Sequence, residues 1–95
     1  MSIVVTLTLK AKPERFSELE AGIAAALPAT SAAKGAELIR GASDPERHIV
    51  TVFQIWDSLE NRNAYIDWRN SRGEIDSLGE FLREPLEFRV QKLIF

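Results

Sequence analysis

Apolar and polar positions divide the chain into segments with two different periods. In SIVVTLTL, residues 2–9, Ile3, Val5, Leu7 and Leu9 fall on one side and Val4, Thr6 and Thr8 on the other, and the β-branched content suits a pleated surface. A first strand is expected there. Pro13 suits the first turn of a helix, and Phe16, Leu19, Ile23 and Leu27 then recur at three- and four-residue steps, so an amphipathic helix is expected to run up to Pro28. Residues 29–36, ATSAAKGA, carry no period and are expected to form a mobile loop. Residues 37–43 and 47–56 flank Asp44-Pro45-Glu46, a turn signal between two antiparallel strands. Asp57, with Glu60 at the third helical position, is expected to cap a helix running to about Asn70. Ser71 and Glu74 repeat that signature, which predicts a second short helix with Ile75, Leu78 and Leu82 on one face until Pro85. Residues 86–95 close the chain as a strand, Phe88, Val90 and Ile94 alternating with Arg89, Gln91 and Leu93.

The order β, α, β, β, broken α, β predicts an α+β fold of ferredoxin-like type: a four-stranded antiparallel sheet with helices on one face. The second hairpin strand is apolar on both sides, with Ile49, Phe53 and Ile55 on one and Val50, Val52 and Trp56 on the other. One helical layer covers one side, and the economical cover for the other is a second copy of the same sheet, so a homodimer is expected. Size points the same way. A chain of 95 residues fits one domain, residues 1–95, yet on its own buries only about 60–65% of its unfolded surface.

Charge and composition exclude several partners. The net charge is −2 and the basic residues are scattered, so nucleic acid is not expected as a partner. The N-terminus lacks the features of a signal peptide and no apolar run approaches the length of a membrane span, so no membrane partner is expected and a soluble, cytoplasmic protein is the default. One histidine, no cysteine and no clustered carboxylate pair leave too few ligands for a typical zinc or iron site, so no metal is expected. No glycine-rich phosphate loop follows any strand, so a dinucleotide cofactor is unsupported.

VVTLTLKAKPERFSELEAGI, FQIWDSLENRNAYIDW and the short final strand together resemble the antibiotic biosynthesis monooxygenase family of dimeric α+β barrels. The most specific part is W-x-S-x-x-x-x-x-A-Y, from Trp56 to Tyr65. The resemblance implies a homodimer with facing sheets and a pocket in each subunit between helices and sheet. It also implies a cofactor-independent oxygenase of quinols or small aromatics, or a haem-degrading enzyme. In the haem-degrading pattern Trp68 matches a tryptophan, but Thr6 and Leu78 stand in place of the asparagine and histidine, so haem degradation is not expected. In the polyketide-oxygenase pattern Trp56 matches, but Val52 replaces the asparagine four residues before it. The leading expectation is a cofactor-free monooxygenase; the alternative is a non-catalytic small-molecule-binding domain on the same barrel.

Oxygenation of a phenol or quinol without cofactor needs flat apolar walls and a few directed polar groups in a dry pocket. Trp56, Phe53 and Trp68 are candidate walls; Thr6, Thr8, Gln54 and Tyr65 are candidate hydrogen-bonding groups. Arg69 and Arg72 are candidates to stabilise an oxyanion, and on a helix they share a face with Tyr65 and Trp68. Each has a plainer structural reading as well. Trp56 also suits a core, the threonines suit any strand, and arginines near a helix C-terminus favour its dipole. His48 beside the turn is expected at an exposed hairpin end, and Asp67 and Asp76 serve equally as bases or as partners of nearby arginines. No catalytic base is assigned.

Overall fold

The computed structural model describes residues 1–95. Four strands, β1 (Ile3–Lys10), β2 (Ala36–Asp44), β3 (Ile49–Trp56) and β4 (Glu87–Lys92), form one antiparallel sheet in the order β2-β3-β1-β4. Helix α1 (Phe16–Ser31) joins β1 to β2, while α2 (Leu59–Ser71) and the five-residue α3 (Glu74–Leu78) join β3 to β4. This is the ferredoxin-like arrangement that the alternation of periods predicts. No helix is long and apolar enough to cross a membrane.

Strand register sorts the side chains into two sets. Toward the helices point Val5, Leu7 and Leu9 of β1 and Val50, Val52, Gln54 and Trp56 of β3, all buried. Leu7, Leu9, Val50 and Val52 pack with Phe16 and Leu19 of α1 and with Leu82; Val5, Ile39 and Trp56 make a second cluster at the other end of the sheet. At Gly41, which pairs with Val52, a Cβ would stand 2.7 Å from Leu27 of α1, so the bare backbone lets the helix settle closely on β2. The opposite face carries cross-strand rows Arg40–Phe53–Thr6–Arg89, Leu38–Ile55–Val4–Gln91 and Ala42–Thr51–Thr8–Glu87, and no element of the chain covers it.

Several local expectations are corrected. Helix α1 does not stop at Pro28 but continues through it to Ser31, which leaves only residues 32–35 between α1 and β2. Proline removes one helical hydrogen bond, from its own position to the carbonyl four residues earlier; that residue, Ala24, is solvent-exposed, so water can take the carbonyl. The N-cap of α2 is Ser58, whose hydroxyl accepts from the Asn61 backbone N–H at 3.2 Å, and not Asp57. The Asp57 carboxylate accepts instead from the Asn61 side-chain amide at 2.9 Å, which lowers its pKa. Both contacts crowd Gly35, whose φ of +88° and missing Cβ fit it beside Asp57. Nor does Ser71 cap α3: its hydroxyl donates to the Trp68 carbonyl, and α3 begins after Gly73, in the left-handed region at φ +74°.

At the hairpin, Asp44 accepts from the backbone N–H and then the guanidinium of Arg47, and last from the Glu46 N–H, an Asx-type turn that depresses its pKa. His48 stands at φ +58° and is half-buried rather than exposed, because its ring meets Phe16 edge-on at 5.5 Å. The last strand ends at Lys92, the partner of Ile3, with one further hydrogen bond from the Leu93 N–H to the Ser2 carbonyl at 3.1 Å; Ile94 and Phe95 extend past the sheet into solvent.

Candidate functional site

Between the helix-facing side of the sheet and the two helical segments lies a cavity of about 230 Å³. Twelve of its eighteen lining residues are hydrophobic, so its walls offer a ligand burial more than hydrogen bonding. Leu7, Val52 and Phe88 form the floor, α1 supplies Leu19 and Ile23, and Ile75 and Leu78 of α3 close the far side. Glu18 lies in the first turn of α1, whereas most of the cavity's polar groups, Thr30, Tyr65, Arg69 and Glu74, come from the end of α1, from α2 and from α3.

There the helical spacing of Tyr65 and Arg69, four residues apart, places the guanidinium beside the phenol: Arg69 Nε donates to Tyr65 Oη at 2.6 Å. The Tyr65 hydroxyl also shares a 2.6 Å hydrogen bond with Thr30 Oγ1 in which either oxygen can donate, and Thr30 Oγ1 stands 3.4 Å from the Ala26 carbonyl, which it reaches as a donor when Tyr65 gives the proton between them. Arg69 Nη1 also donates to Glu74 Oε2, while Arg72 Nε donates to Glu74 Oε1 at 2.6 Å. Burial works against the Arg69 charge, but its hydrogen bonds with Glu74 and Tyr65 outweigh that and raise its pKa. Gln54 faces the cavity from β3, and its Oε1 accepts from Trp56 Nε1 at 2.9 Å.

The same pairings hold the Glu74 carboxyl below its ordinary range, through hydrogen bonds from Arg69 first and Arg72 second. Because the folded pKa is depressed, the stabilisation from this latch is fully present above the ordinary glutamate value and is lost as pH falls through the lowered one. A carboxyl-carbon NMR titration is expected to show Glu74 protonating below a reference glutamate. Glu74→Gln is expected to flatten the acid limb of the urea-stability profile.

The candidates from the sequence divide into four groups. Gln54, Tyr65 and Arg69 meet at the cavity. Trp56 is fully buried beneath it, its ring 5.4 Å from that of Tyr65. Trp68 is 47% exposed on the outer side of α2, with the Arg69 and Arg72 guanidiniums over its ring at 5.1 and 4.9 Å, and it borders a shallow depression with Ala29 and Ala32 rather than the cavity. Arg72 is held there with it. Thr6, Thr8 and Phe53 lie on the opposite face of the sheet. Asp67 and Asp76 are solvent-exposed.

Thr30 and Glu74 complete the polar cluster and carry no motif of their own. Thr30 lies beyond Pro28, where the sequence pattern predicts the helix to end; one further turn of α1 brings its hydroxyl to Tyr65. Glu74 follows Arg69 by five residues, outside the spacing of a regular helix, and reaches it because the chain turns at Gly73.

Fold and cavity together define an α+β ferredoxin-like protein with one apolar chamber between helices and sheet. The same fold occurs in a protein from Deinococcus radiodurans named “putative antibiotic biosynthesis monooxygenase”, at TM-score 0.86 and 18% identity, over 98% of this chain and 93% of that one. A protein of the same name from Bordetella bronchiseptica matches at TM-score 0.75 and 21% identity, over 99% and 98% of the two chains. A conserved protein from Methanosarcina mazei matches at TM-score 0.85 and 18% identity, over 97% and 92%. No protein-family model matches the sequence, and no curated protein matches it.

Proposed function

We propose that the chain is a cofactor-independent monooxygenase acting on a small phenol or quinol bound in the 230 Å³ cavity. The observation that carries this reading is the joining of apolar walls to one polar corner made by Gln54, Thr30, Tyr65 and Arg69. A planar ring gains from the walls, while its oxygen finds donors at the corner. In the reaction, a phenol with a para C–H loses a proton, the anion passes an electron to dioxygen, and the two radicals join at the para carbon as a peroxide. Loss of water leaves the quinone, so one oxygen atom of dioxygen goes to carbon and the other to water. Apolar walls lower the dielectric around the anion while this happens. The names of the proteins sharing the fold agree with this chemistry.

Oxygen uptake with a panel of quinols and phenols tests the proposal. Turnover above background is expected, falling about tenfold or more in Tyr65→Phe, which removes the hydroxyl between Arg69 and Thr30. Compounds that quench tryptophan fluorescence without consuming oxygen would leave binding without chemistry, the second reading of the same cavity.

We infer further that the protein works as a homodimer. The uncovered sheet face presents Val4, Leu38, Phe53 and Ile55 in adjacent rows, and Phe53 is 38% exposed. A second copy laid face to face on it makes both sheets buried on two sides, and Thr6, Thr8 and Phe53 then lie between the sheets.

A further inference from the structure

Helix α3 forms one wall of the cavity with little to hold it there. Residues 74–80, which run from α3 into a short 3₁₀ turn at Gly79–Phe81, include no buried side chain. Just beyond them the chain is fixed: the Lys12 N–H donates to the Phe81 carbonyl at 2.8 Å, the Arg83 N–H to the Lys10 carbonyl at 2.9 Å, and the buried Leu82 bridges Ala11. Just before them stands Gly73, where φ of +74° alone calls for glycine, since a Cβ would meet nothing within 4 Å. Between these two points only the Glu74 side chain bonds to the rest of the protein, through Arg69 and Arg72; the Ser77 N–H and hydroxyl turn back to Gly73 and Glu74. Leu78 meets the core by apolar contact, which has no direction. A helix this short has little stability of its own, and a segment with few buried contacts and few outside hydrogen bonds opens locally.

Across the cavity, α1 presents Gly22. Glu18 and Gly22, one turn apart on α1, line the cavity and are exposed, so the cavity opens to solvent beside them. Glycine inside a helix is destabilising relative to alanine, and at Gly22 neither a positive φ nor a close neighbour calls for it: a Cβ would meet nothing within 4 Å. The bare backbone gains a use when something approaches α1 more closely than the structure shows. We propose that α3 is the door of the cavity. Pivoting at Gly73, it swings from the open position held by Glu74 to one in which Ile75 and Leu78 close on α1 at Gly22. This rests on the cavity as the ligand site and adds the route by which a guest enters and is sealed from water. Closure turns α3 about the residue next to Glu74, away from the arginines of α2, so the Glu74 pairs act as the catch that keeps the door open.

The chain has no cysteine, so two introduced thiols report closure without any ligand. Gly22→Cys is combined with Ile75→Cys, with Leu78→Cys or, as a control, with Ser77→Cys on the exposed side of α3. The Cβ atoms of a disulfide lie about 3.8 Å apart on average, and no atom stands within 4 Å of a Cβ at residue 22, so the bond reports an approach of α3. Under a mild oxidant, at least one cavity-side pair is expected to form its bond within a single chain about tenfold faster than the Ser77 pair. Adding Glu74→Gln is expected to speed it by about another threefold, the worth of a partly exposed ion pair. Cavity-side pairs that oxidise no faster than the control overturn the door, and a rate indifferent to Glu74→Gln overturns the catch. Amide exchange in the parent protein decides even where a cysteine variant fails to fold. The Ser77 and Gly79 amides, both hydrogen-bonded within the segment, are expected to exchange about tenfold or more faster than those of α2, and protection equal to that of α2 overturns the proposal. None of these measurements uses a ligand, so the door can fail while ligand binding and turnover stand.

Discussion

Replacing Trp56 by alanine is expected to remove about 3–5 kcal/mol of stability, the range for deleting a large aromatic side chain from a core. Trp56 has no exposed surface, pairs across the sheet with Ile3 and Ala36, and stacks at a tilt on Tyr65. Its loss also strands the buried Gln54 carbonyl, whose partner is the Trp56 N–H; an unsatisfied buried group costs about 1–3 kcal/mol by itself. Since small proteins hold only about 5–15 kcal/mol in total, Trp56→Ala is expected to bring the protein close to unfolding at room temperature. Trp56→Phe keeps most of the ring packing and is expected to lose less. Urea unfolding at one fixed protein concentration checks both, because a dimer makes apparent stability depend on concentration.

The second large effect is expected on assembly. Ile55→Lys places an ammonium in the row Leu38–Ile55–Val4, where no neighbour bears a negative charge. In an isolated chain this face meets water and the fold tolerates the change. In a two-sheet dimer the charge is buried without a partner, at a cost of about 3–5 kcal/mol, which corresponds to a dissociation constant at least about a hundredfold higher. Sedimentation at micromolar concentration is expected to show dimer for the parent protein and monomer for the variant, with circular dichroism unchanged. A parent protein that sediments as a monomer at that concentration would refute the two-sheet arrangement.

What could be read from sequence follows the range of the interactions involved. Strand faces were legible because alternation is local: Val5, Leu7 and Leu9 had to share a side, and the structure puts that side against the helices. The extent of α1 was not, because whether a proline stops a helix depends on whether the residue four positions earlier stays solvent-exposed, and that Ala24 does so is decided by the tertiary fold. Tyr65 and Arg69 are brought together by helical spacing alone. Trp68 shares their helix, but it leans toward Arg72 on the outer side, and spacing cannot tell which flank of a face meets the sheet. The role of Thr6, Thr8 and Phe53 depends on which side of the sheet the helices pack against, a tertiary choice that a two-sided apolar strand such as β3 leaves open.

The hydrogen bond from Trp56 to Gln54 reaches beyond stability. An amide carries a donor at one end and an acceptor at the other, and a free glutamine could turn either end toward a guest. Trp56 removes that freedom from beneath, without lining the cavity, by keeping the oxygen for itself. The polarity of the chamber is thus written into the core below it. Trp56→Phe, besides its cost in stability, would let Gln54 rotate and welcome guests that donate as readily as guests that accept, a change in selectivity produced without altering a single wall residue.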